Sequence, residues 1–226
     1  MPLLELSGVH KRYETGGEVT KVLQGLDLTA EEGEMLMVMG PSGCGKTTLL
    51  NLIGGIDSPN EGSIRVAGQE LTGLGARELG VYRRERVGFI FQFYNLLPTL
   101  TARENVELGI EMVLRDKRAI AERAERYMGL VGLSDRLDSF PQELSAGQQQ
   151  RVTIARALAK EPALVLADEP TGNLDEDRAQ GVMELMKRLQ EGVGTTFIIV
   201  SHNPALRAHM GRSFNLHRGK LEPMGA

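Results

Sequence analysis

The fold of this chain is decided at residues 40–47, which read Gly40-Pro41-Ser42-Gly43-Cys44-Gly45-Lys46-Thr47. The stretch matches the pattern G-x-x-x-x-G-K-[ST]. It lies between the apolar run Met35–Met39 and the helical pattern Thr48–Ile53, which is the strand–loop–helix context that the pattern requires. The glycines allow backbone N–H groups to turn inward around an anion, and the start of the next helix adds a partial positive charge. We therefore predict a phosphate-binding loop, rather than a glycine-rich turn that happens to carry a lysine.

Individual residues of this loop have distinct expected roles in binding ATP. Lys46 supplies a mobile positive charge for the β- and γ-phosphates, and the Thr47 hydroxyl can bind Mg²⁺. Cys44 is interpreted as a spacer whose backbone contacts the phosphates; the alternative is a reactive thiol whose pKa is lowered by the helix start. The predicted ATP-binding residues of this stretch are Gly40, Ser42, Gly43, Cys44, Gly45, Lys46, Thr47 and Thr48.

A second apolar run ends in two carboxylates. Ala163–Ala167 has the pattern of a strand, and Asp168 and Glu169 follow it directly. Because adjacent strand residues point to opposite sides, we expect the two acids to differ in role. Asp168 can hold Mg²⁺ directly or through water, since magnesium prefers oxygen ligands and keeps several waters. Glu169 can orient and deprotonate an attacking water. The alternative, an acidic pair on the surface, is disfavoured by the phosphate loop upstream.

Composition limits the class of protein. With 226 residues, of which 41% are hydrophobic, the chain can form one large domain with a buried core. A formal net charge of −4 argues against nucleic acid as a partner, because binding to a phosphate backbone needs a basic surplus. The single cysteine excludes an internal disulfide and a cysteine-rich zinc site. The sequence lacks a signal-peptide pattern and an apolar run of about 18–20 residues, so we expect a cytoplasmic chain that serves a membrane only through a partner.

Hydrophobic periodicity predicts an α/β fold. Helical patterns fill most of residues 101–160, before the strand Ala163–Ala167, which indicates a helical subdomain inserted into an α/β core. We predict helices at Asn105–Leu114, Ala119–Leu130 and Gln148–Ala159, and another around Val182–Leu189 that is closed by Gly192 and Gly194. The predicted strands are Leu3–Val9, Val22–Leu28, Met35–Met39, Ser63–Val66, Val87–Phe91, Ala163–Ala167 and Thr196–Val200. Several of these runs are continuously apolar, as expected of strands that are covered on both faces.

One segment is more specific than the phosphate loop. Leu144–Arg151 reads L-S-A-G-Q-Q-Q-R and closely resembles the signature motif of ABC-transporter ATPases, whose usual core is L-S-G-G-Q. Pro170–Asp175 resembles the D-loop region of that family, and His202 resembles its switch histidine. Gln92 falls at the family's Q-loop, and Tyr13 falls where these proteins stack an aromatic ring on adenine. The motifs occur in the family's order and cover nearly the whole chain.

The resemblance implies a fold and a set of ligands. It implies the P-loop NTPase core of an ABC ATPase, with a mainly parallel sheet and an antiparallel β region near the N-terminus. An α-helical subdomain at residues 93–160 would carry the signature motif within a single nucleotide-binding domain at residues 1–226. The implied ligands are ATP and Mg²⁺, and the implied reaction is hydrolysis of ATP to ADP and phosphate.

The resemblance also implies a role for each matching residue. Ser145 can cap the following helix and so create an anion site, or it can be a simple cap; in the family this helix start meets the γ-phosphate of ATP held by the other subunit. Ala146 departs from the commoner glycine, which implies tighter steric limits at that interface. Tyr13 stacks on adenine or, alternatively, anchors the loop Glu14–Lys21.

The implied catalytic residues are Glu169, His202, Gln92 and Lys46, of which Gln92 and His202 also contact ATP. The implied Mg²⁺ ligands are Thr47, Gln92 and Asp168, and the residues that act on the partner's ATP are Ser145, Gly147, Gln148 and Asp175.

The neighbourhood of Gln92 narrows the family resemblance. Phe91–Thr101, Glu104–Val106 and Pro170–Asp175 look like the group that includes lipoprotein-releasing, macrolide-efflux and cell-division ABC ATPases. The resemblance implies a homodimer on the inner face of the membrane, coupled to a separate membrane permease subunit that docks near Phe93–Leu100. Its work would be export, release of lipoprotein or lipid, or transmembrane force transmission. The alternatives are the ATPase of an ABC importer and a soluble ABC ATPase outside transport, and the cargo is left open.

Overall fold

The computed structural model describes residues 2–225, and these residues form a mixture of β-strands and α-helices. The strands are β1 (Leu4–Thr15), β2 (Glu18–Ala30), β3 (Met35–Met39), β4 (Glu61–Val66), β5 (Gln69–Glu70), β6 (Val87–Ile90), β7 (Leu164–Asp168), β8 (Thr196–Ser201), β9 (Arg212–His217) and β10 (Lys220–Pro223). The helices are α1 (Lys46–Ile53), α2 (Ala76–Arg86), α3 (Ala102–Ile110), α4 (Lys117–Leu130), α5 (Ala146–Leu158) and α6 (Glu176–Val193), with short 3-10 helices at Pro141–Glu143 and Pro204–His209.

The strands form two sheets of different kinds. The larger sheet has the order β10-β9-β3-β8-β7-β6, and its strands are parallel except for β10, which pairs antiparallel with β9. The smaller sheet has the order β2-β1-β4-β5 and is antiparallel throughout. The predicted fold class, a mainly parallel sheet with an antiparallel region near the N-terminus, is therefore confirmed.

Alternation along the central strands builds a separate core on each face of the larger sheet. In β3, Met35, Met37 and Met39 pack on the side of α3–α6, whereas Leu36 and Val38 pack on the side of α1 and the smaller sheet. Strands β7 and β8 alternate in the same way between the two cores. Both faces are thus apolar, which explains why these strands appear in the sequence as continuous hydrophobic runs.

Helices α3, α4 and α5 lie between β6 and β7, which are parallel neighbours in the larger sheet. The three helices pack on one another through buried residues such as Val106, Tyr127 and Ile154, which belong to the same core as Val165 of the sheet. Our interpretation of residues 93–160 as an inserted helical subdomain is consistent with this connection. Within residues 2–225, the structure contains no helix that is both long and apolar enough to cross a membrane.

Some boundaries differ from those predicted. The β1–β2 hairpin is longer, because Gly16 and Gly17 (φ 61° and 84°) make a tight turn where we expected a loop at Glu14–Lys21. Helix α3 begins at Ala102 instead of Asn105, since Thr101 and Glu104 form a capping box with Glu104 Oε2 accepting from Thr101 N at 2.7 Å. We missed α2, β9 and β10; α2 gives little periodic signal because Tyr82 is its one buried residue.

Candidate functional site

The phosphate loop joins β3 to α1, and its shape depends on glycine. Gly40, Gly43 and Gly45 have φ values of 154°, 77° and 109°, which residues with a side chain rarely adopt. A Cβ at Gly40 would lie 2.6 Å from both Cys44 Sγ and Leu216 O, and one at Gly45 would lie 2.8 Å from a Val22 methyl carbon. The loop is therefore packed tightly from behind, and the first N–H groups of α1 are left to face an anion.

Lys46 places a buried positive charge at the base of this loop. Its side chain is 8% exposed, and Nζ donates to Gly40 O at 2.8 Å and to Pro41 O at 3.2 Å. The same nitrogen lies 3.9 Å from Glu169 Oε1. The ammonium group is thus held between the loop and a carboxylate, where it can interact with a phosphate without a large movement.

Thr47 and Asp168 offer adjacent oxygen atoms that fit a magnesium ion. Thr47 Oγ1 donates to Asp168 Oδ2 at 3.0 Å. Burial raises the pKa of Asp168; the Thr47 hydrogen bond and the Lys46 charge oppose this shift, and the Glu169 charge adds to it. A hydroxyl and a carboxylate beside a phosphate loop are the hard oxygen donors that Mg²⁺ prefers, and a cation there would offset the cost of burying the Asp168 charge.

Asp168 and Glu169 line the same cavity, and our expectation that they differ in role stays a prediction. Strand β7 ends at Asp168, and Glu169 has a left-handed backbone with φ 47°, which interrupts the alternation of the strand. Glu169 Oε2 accepts from Ser201 Oγ at 2.8 Å and from His202 N at 3.3 Å, and Oε1 lies 2.9 Å from His202 Nδ1. The carboxylate is thereby fixed between the ends of β7 and β8, next to Lys46.

Ser201 is a residue of this site that sequence reasoning missed. It is 1% exposed, and its hydroxyl donates to Glu169 while accepting from Asn203 N at 3.2 Å. A polar residue that ends the apolar strand β8, just before His202, is the signal that could have indicated it. Because both hydrogen bonds are made by one buried hydroxyl, Ser201 ties the carboxylate of Glu169 to the turn that carries His202.

An open cavity of about 420 Å³ collects most of the predicted residues. Val22, on β2, also lines it and had not been predicted. Gly40 and Cys44 support the loop from behind, and Tyr13 does not belong to the lining. The predicted residues that the cavity brings together are Ser42, Gly43, Gly45, Lys46, Thr47, Thr48, Gln92, Asp168, Glu169 and His202.

Gln92 enters the cavity from the end of β6 and is held by the segment after β7. Its Nε2 donates to Asn173 Oδ1 at 3.3 Å, and Asn173 Nδ2 donates to Gln92 O at 2.8 Å. A Cβ at Gly172 would lie 2.9 Å from Gln92 Nε2, so glycine is needed for this approach. Asp175 is an exposed N-cap of α6, where it accepts from Arg178 N at 3.0 Å and lies outside the cavity lining.

The turn that follows Gln92 is clamped by α5. Tyr94 and Asn95 are both left-handed, with φ values of 57° and 50°. Arg156 donates to Asn95 O at 2.6 Å and to Tyr94 O at 2.8 Å, and Thr153 Oγ1 donates to Tyr94 O at 3.2 Å. These contacts explain how an unfavourable backbone persists beside the cavity, and no local pattern in the sequence indicates them.

The signature segment Leu144–Arg151 places an exposed helix start at a second cavity. Ser145 caps α5 as predicted: its Oγ accepts from Gln148 N at 3.3 Å, and Gln148 Oε1 accepts from Ser145 N at 2.9 Å. Ser145, Gly147 and Gln148 line a separate cavity of about 370 Å³. Among residues 2–225, the linings of this cavity and of the phosphate cavity have no residue in common.

Tyr13 lies on β1, outside the lining of the phosphate cavity, and its side chain is held by contacts of its own. Its hydroxyl donates to Asp57 Oδ2 at 2.8 Å, and Lys11 Nζ lies over its ring, 4.8 Å from the centre. The Tyr13 side chain is 39% exposed. The ring is therefore anchored at its hydroxyl end and accessible elsewhere.

Comparisons with known proteins place this geometry in a family. Residues 23–172 match the sequence model of the ABC transporter family. The lipoprotein-releasing system ATP-binding protein LolD of Pseudomonas syringae pv. tomato is 46% identical over 222 residues, which cover 97% of this chain and 96% of that protein. An uncharacterized ABC transporter ATP-binding protein of Methanocaldococcus jannaschii, MJ1508, is 44% identical over 219 residues and 97% of each chain.

A solved structure gives the same result at the level of the fold. It is the dimeric structure of a post-hydrolysis state of the ATP-binding cassette MJ0796 bound to ADP and Pi, which matches with a TM-score of 0.88 and 39% identity over 97% of this chain and 96% of that chain. The phosphate loop, the acidic strand end and the capped signature helix thus occur in a chain whose sequence and fold both match ATP-binding cassettes. The chain belongs to the ABC transporter family, as one of its ATP-hydrolysing subunits.

Proposed function

We propose that two copies of this chain close around two molecules of Mg-ATP and couple hydrolysis to a separate membrane subunit. The observation that carries the proposal is the separation of the two cavities: Ser145, Gly147 and Gln148 lie away from the phosphate loop of their own chain. The anion site at the start of α5 therefore does not meet a phosphate that is bound in the phosphate cavity of the same chain. A second copy, facing the first, supplies one.

The chemistry of the α5 start supports this pairing. The cap uses Ser145 Oγ as an acceptor, so the hydroxyl proton is left to donate to an anion. Free N–H groups and the helix dipole add to the attraction for a phosphate. MJ0796, whose fold this chain shares, is described as a dimer bound to ADP and Pi, which agrees with a two-chain site.

Within each chain, the cavity residues divide the work of hydrolysis. The phosphate loop and Lys46 bind the β- and γ-phosphates, and Glu169 orients the attacking water and accepts its proton. His202 contacts the γ-phosphate from the end of β8. Thr47 and Asp168 would hold Mg²⁺ together with Gln92, and the bound ion offsets the negative charge of the phosphates.

The membrane subunit is proposed to dock near Phe93–Leu100. Phe93 is 73% exposed and Leu97 is 44% exposed, which leaves apolar surface beside the clamped turn. Asn105, which is fully buried, accepts from Leu97 N and donates to Leu97 O, so this surface has a fixed shape. Relatives named for lipoprotein release support that process over macrolide efflux or cell division, and we propose that the chain works at the membrane through its partner.

The shared site is tested by Ser145→Arg. We expect the isolated variant to bind ATP as the unmodified chain does, because Ser145 lies outside its own phosphate cavity, and to lose hydrolysis because bulk and charge block the facing site. Ser134→Arg, a matched change at an exposed turn, should hydrolyse ATP normally. Wild-type turnover by Ser145→Arg would refute the two-chain site.

The docking surface is tested separately by Leu97→Asp. The isolated variant should keep its ATPase activity, because the side chain points into solvent, and should fail to copurify with the membrane subunit. Undiminished copurification would exclude this surface as the docking site.

A further inference from the structure

A charged pair outside the phosphate cavity holds the ring of Tyr13. Lys11 and Tyr13 lie two residues apart on β1 and share one face of the strand. Asp57, in the connection from α1 to β4, accepts from both: Oδ1 lies 2.7 Å from Lys11 Nζ, and Oδ2 accepts from the Tyr13 hydroxyl at 2.8 Å. One carboxylate therefore uses a different oxygen for each partner.

Lys11, Asp57 and Tyr13 form a cluster whose side chains have little freedom to move. Lys11 is 8% exposed, and its Nζ also donates to Ser58 O at 2.8 Å. Asp57 Oδ1 accepts in addition from Ser58 N at 2.7 Å. With Lys11 over its ring and Asp57 at its hydroxyl, Tyr13 is fixed at one face and at one end. The opposite face is the one left for a flat ligand.

The protonation states of Tyr13 and Asp57 favour the hydrogen bond between them. Burial raises the pKa of Tyr13, the hydrogen bond to Asp57 adds to that shift, and a hydrogen bond with Thr48 opposes it. Burial also acts to raise the pKa of Asp57, but the hydrogen bonds from Lys11 and Tyr13 outweigh it and hold the pKa below its usual range. Around neutral pH, Tyr13 is thus a donor and Asp57 an ionised acceptor.

We propose that Lys11 and Asp57 are positioning residues that fix the Tyr13 ring as the stacking surface for the adenine base of ATP. The inference rests on the function proposed above, in which this chain binds ATP at the neighbouring phosphate loop. Thr48 connects the two regions, since it lines the phosphate cavity and its side chain also acts to lower the pKa of Tyr13 against the effect of burial. A ring that is already immobile loses less entropy when a base stacks on it, so the pair strengthens ATP binding without contacting ATP.

The hydroxyl contact is tested with Tyr13→Phe, Asp57→Asn and the double variant. Each single change should raise the KM for ATP about fivefold, which corresponds to about 1 kcal/mol of lost positioning, with kcat unchanged. The double variant should have the same KM as Asp57→Asn, because the contact that Tyr13→Phe removes is already lost in Asp57→Asn. Asp138→Asn, which removes an exposed carboxylate that pairs with Arg103, is the matched control and should leave the KM unchanged.

A spectroscopic titration tests the contact between Asp57 and Tyr13 independently of the kinetics. The sequence has four tyrosines and no tryptophan, so phenolate absorbance reports on few groups. In Asp57→Asn, one tyrosine should titrate at lower pH than in the unmodified chain, because the carboxylate no longer disfavours the Tyr13 phenolate. Lys11→Met should also raise the KM, since Asp57 then lacks its cation.

The outcomes separate this inference from the proposed function. If Tyr13→Ala raises the KM while Tyr13→Phe and Asp57→Asn do not, the ring binds the base but the positioning pair is refuted. If the KM effects of Tyr13→Phe and Asp57→Asn add in the double variant, positioning through the hydroxyl is refuted as well. If Tyr13→Ala has no effect on the KM, stacking on Tyr13 is itself wrong, whereas ATP hydrolysis at the phosphate loop is unaffected by that result.

Discussion

Arg156→Met tests how strongly α5 fixes the turn after Gln92. Methionine keeps much of the length of the side chain but cannot donate to Tyr94 O and Asn95 O, which Arg156 holds at 2.8 and 2.6 Å. A hydrogen bond to a charged group contributes about 1.5–3 kcal/mol, so two such bonds amount to about 4 kcal/mol. A left-handed residue costs about 1 kcal/mol or more, so release of the turn returns about 2 kcal/mol. The expected net loss in the free energy of unfolding is about 2 kcal/mol.

The same change should slow hydrolysis. Gln92 lines the phosphate cavity and stands two residues before Tyr94, so a relaxed turn displaces it. We expect ATP turnover to fall about tenfold, which corresponds to about 1.4 kcal/mol of lost positioning. Equilibrium unfolding in denaturant and steady-state ATPase kinetics measure the two effects on the same preparation.

Two further variants calibrate this result. Thr153→Val removes one neutral donor, whose proton is shared between Tyr94 O at 3.2 Å and Gln149 O at 3.1 Å, and should cost about 1 kcal/mol. Arg118→Met removes an arginine whose side chain is 89% exposed and pairs with Glu122 four residues on, so it should change stability by less than about 0.5 kcal/mol. If Arg156→Met is as stable as Arg118→Met and turns over ATP at the wild-type rate, the clamp has no role.

Three other predictions concern the Glu169 carboxylate and the side chain of Lys160. Ser201→Ala should lower kcat about tenfold with an unchanged KM for ATP, whereas Ser201→Thr, which keeps the hydroxyl, should retain activity in the same kinetic assay. Glu169→Gln should bind Mg-ATP without turnover and elute as a dimer in size-exclusion chromatography; a monomer would contradict the proposal. Burial lowers the pKa of Lys160 from 10.5 to about 8, so the unfolded chain binds more protons between these values. Stability should therefore rise from about pH 8 to about pH 10.5, and Lys160→Met should lose that rise in pH-dependent unfolding.

The parts of the site that could be predicted from the sequence are those built from neighbouring residues. The phosphate loop, the acids after β7 and the Ser145 cap each occupy one short segment, and local composition is enough to indicate them. The Lys11–Asp57 pair joins residues 46 positions apart, so it depends on the pairing of β4 with β1, which brings the connection from α1 to β4 beside β1. The placement of Glu169 could not be predicted for another reason. It follows from the left-handed backbone of Glu169 itself, which the alternation of a strand does not anticipate.

Parallel topology supports the proposal that one chain forms half of an active site. Strands β3, β8, β7 and β6 are neighbours, and their carboxyl ends lead into the phosphate loop, His202, Glu169 and Gln92. Because parallel strands end at one edge of a sheet, four segments that are distant in sequence meet at one cavity. The signature segment follows no strand of this sheet; it begins a helix in the connection between β6 and β7 and opens on a different cavity. Sheet topology therefore does not bring Ser145 into the phosphate cavity of its own chain, and in the proposed dimer a second copy brings it to the facing phosphates.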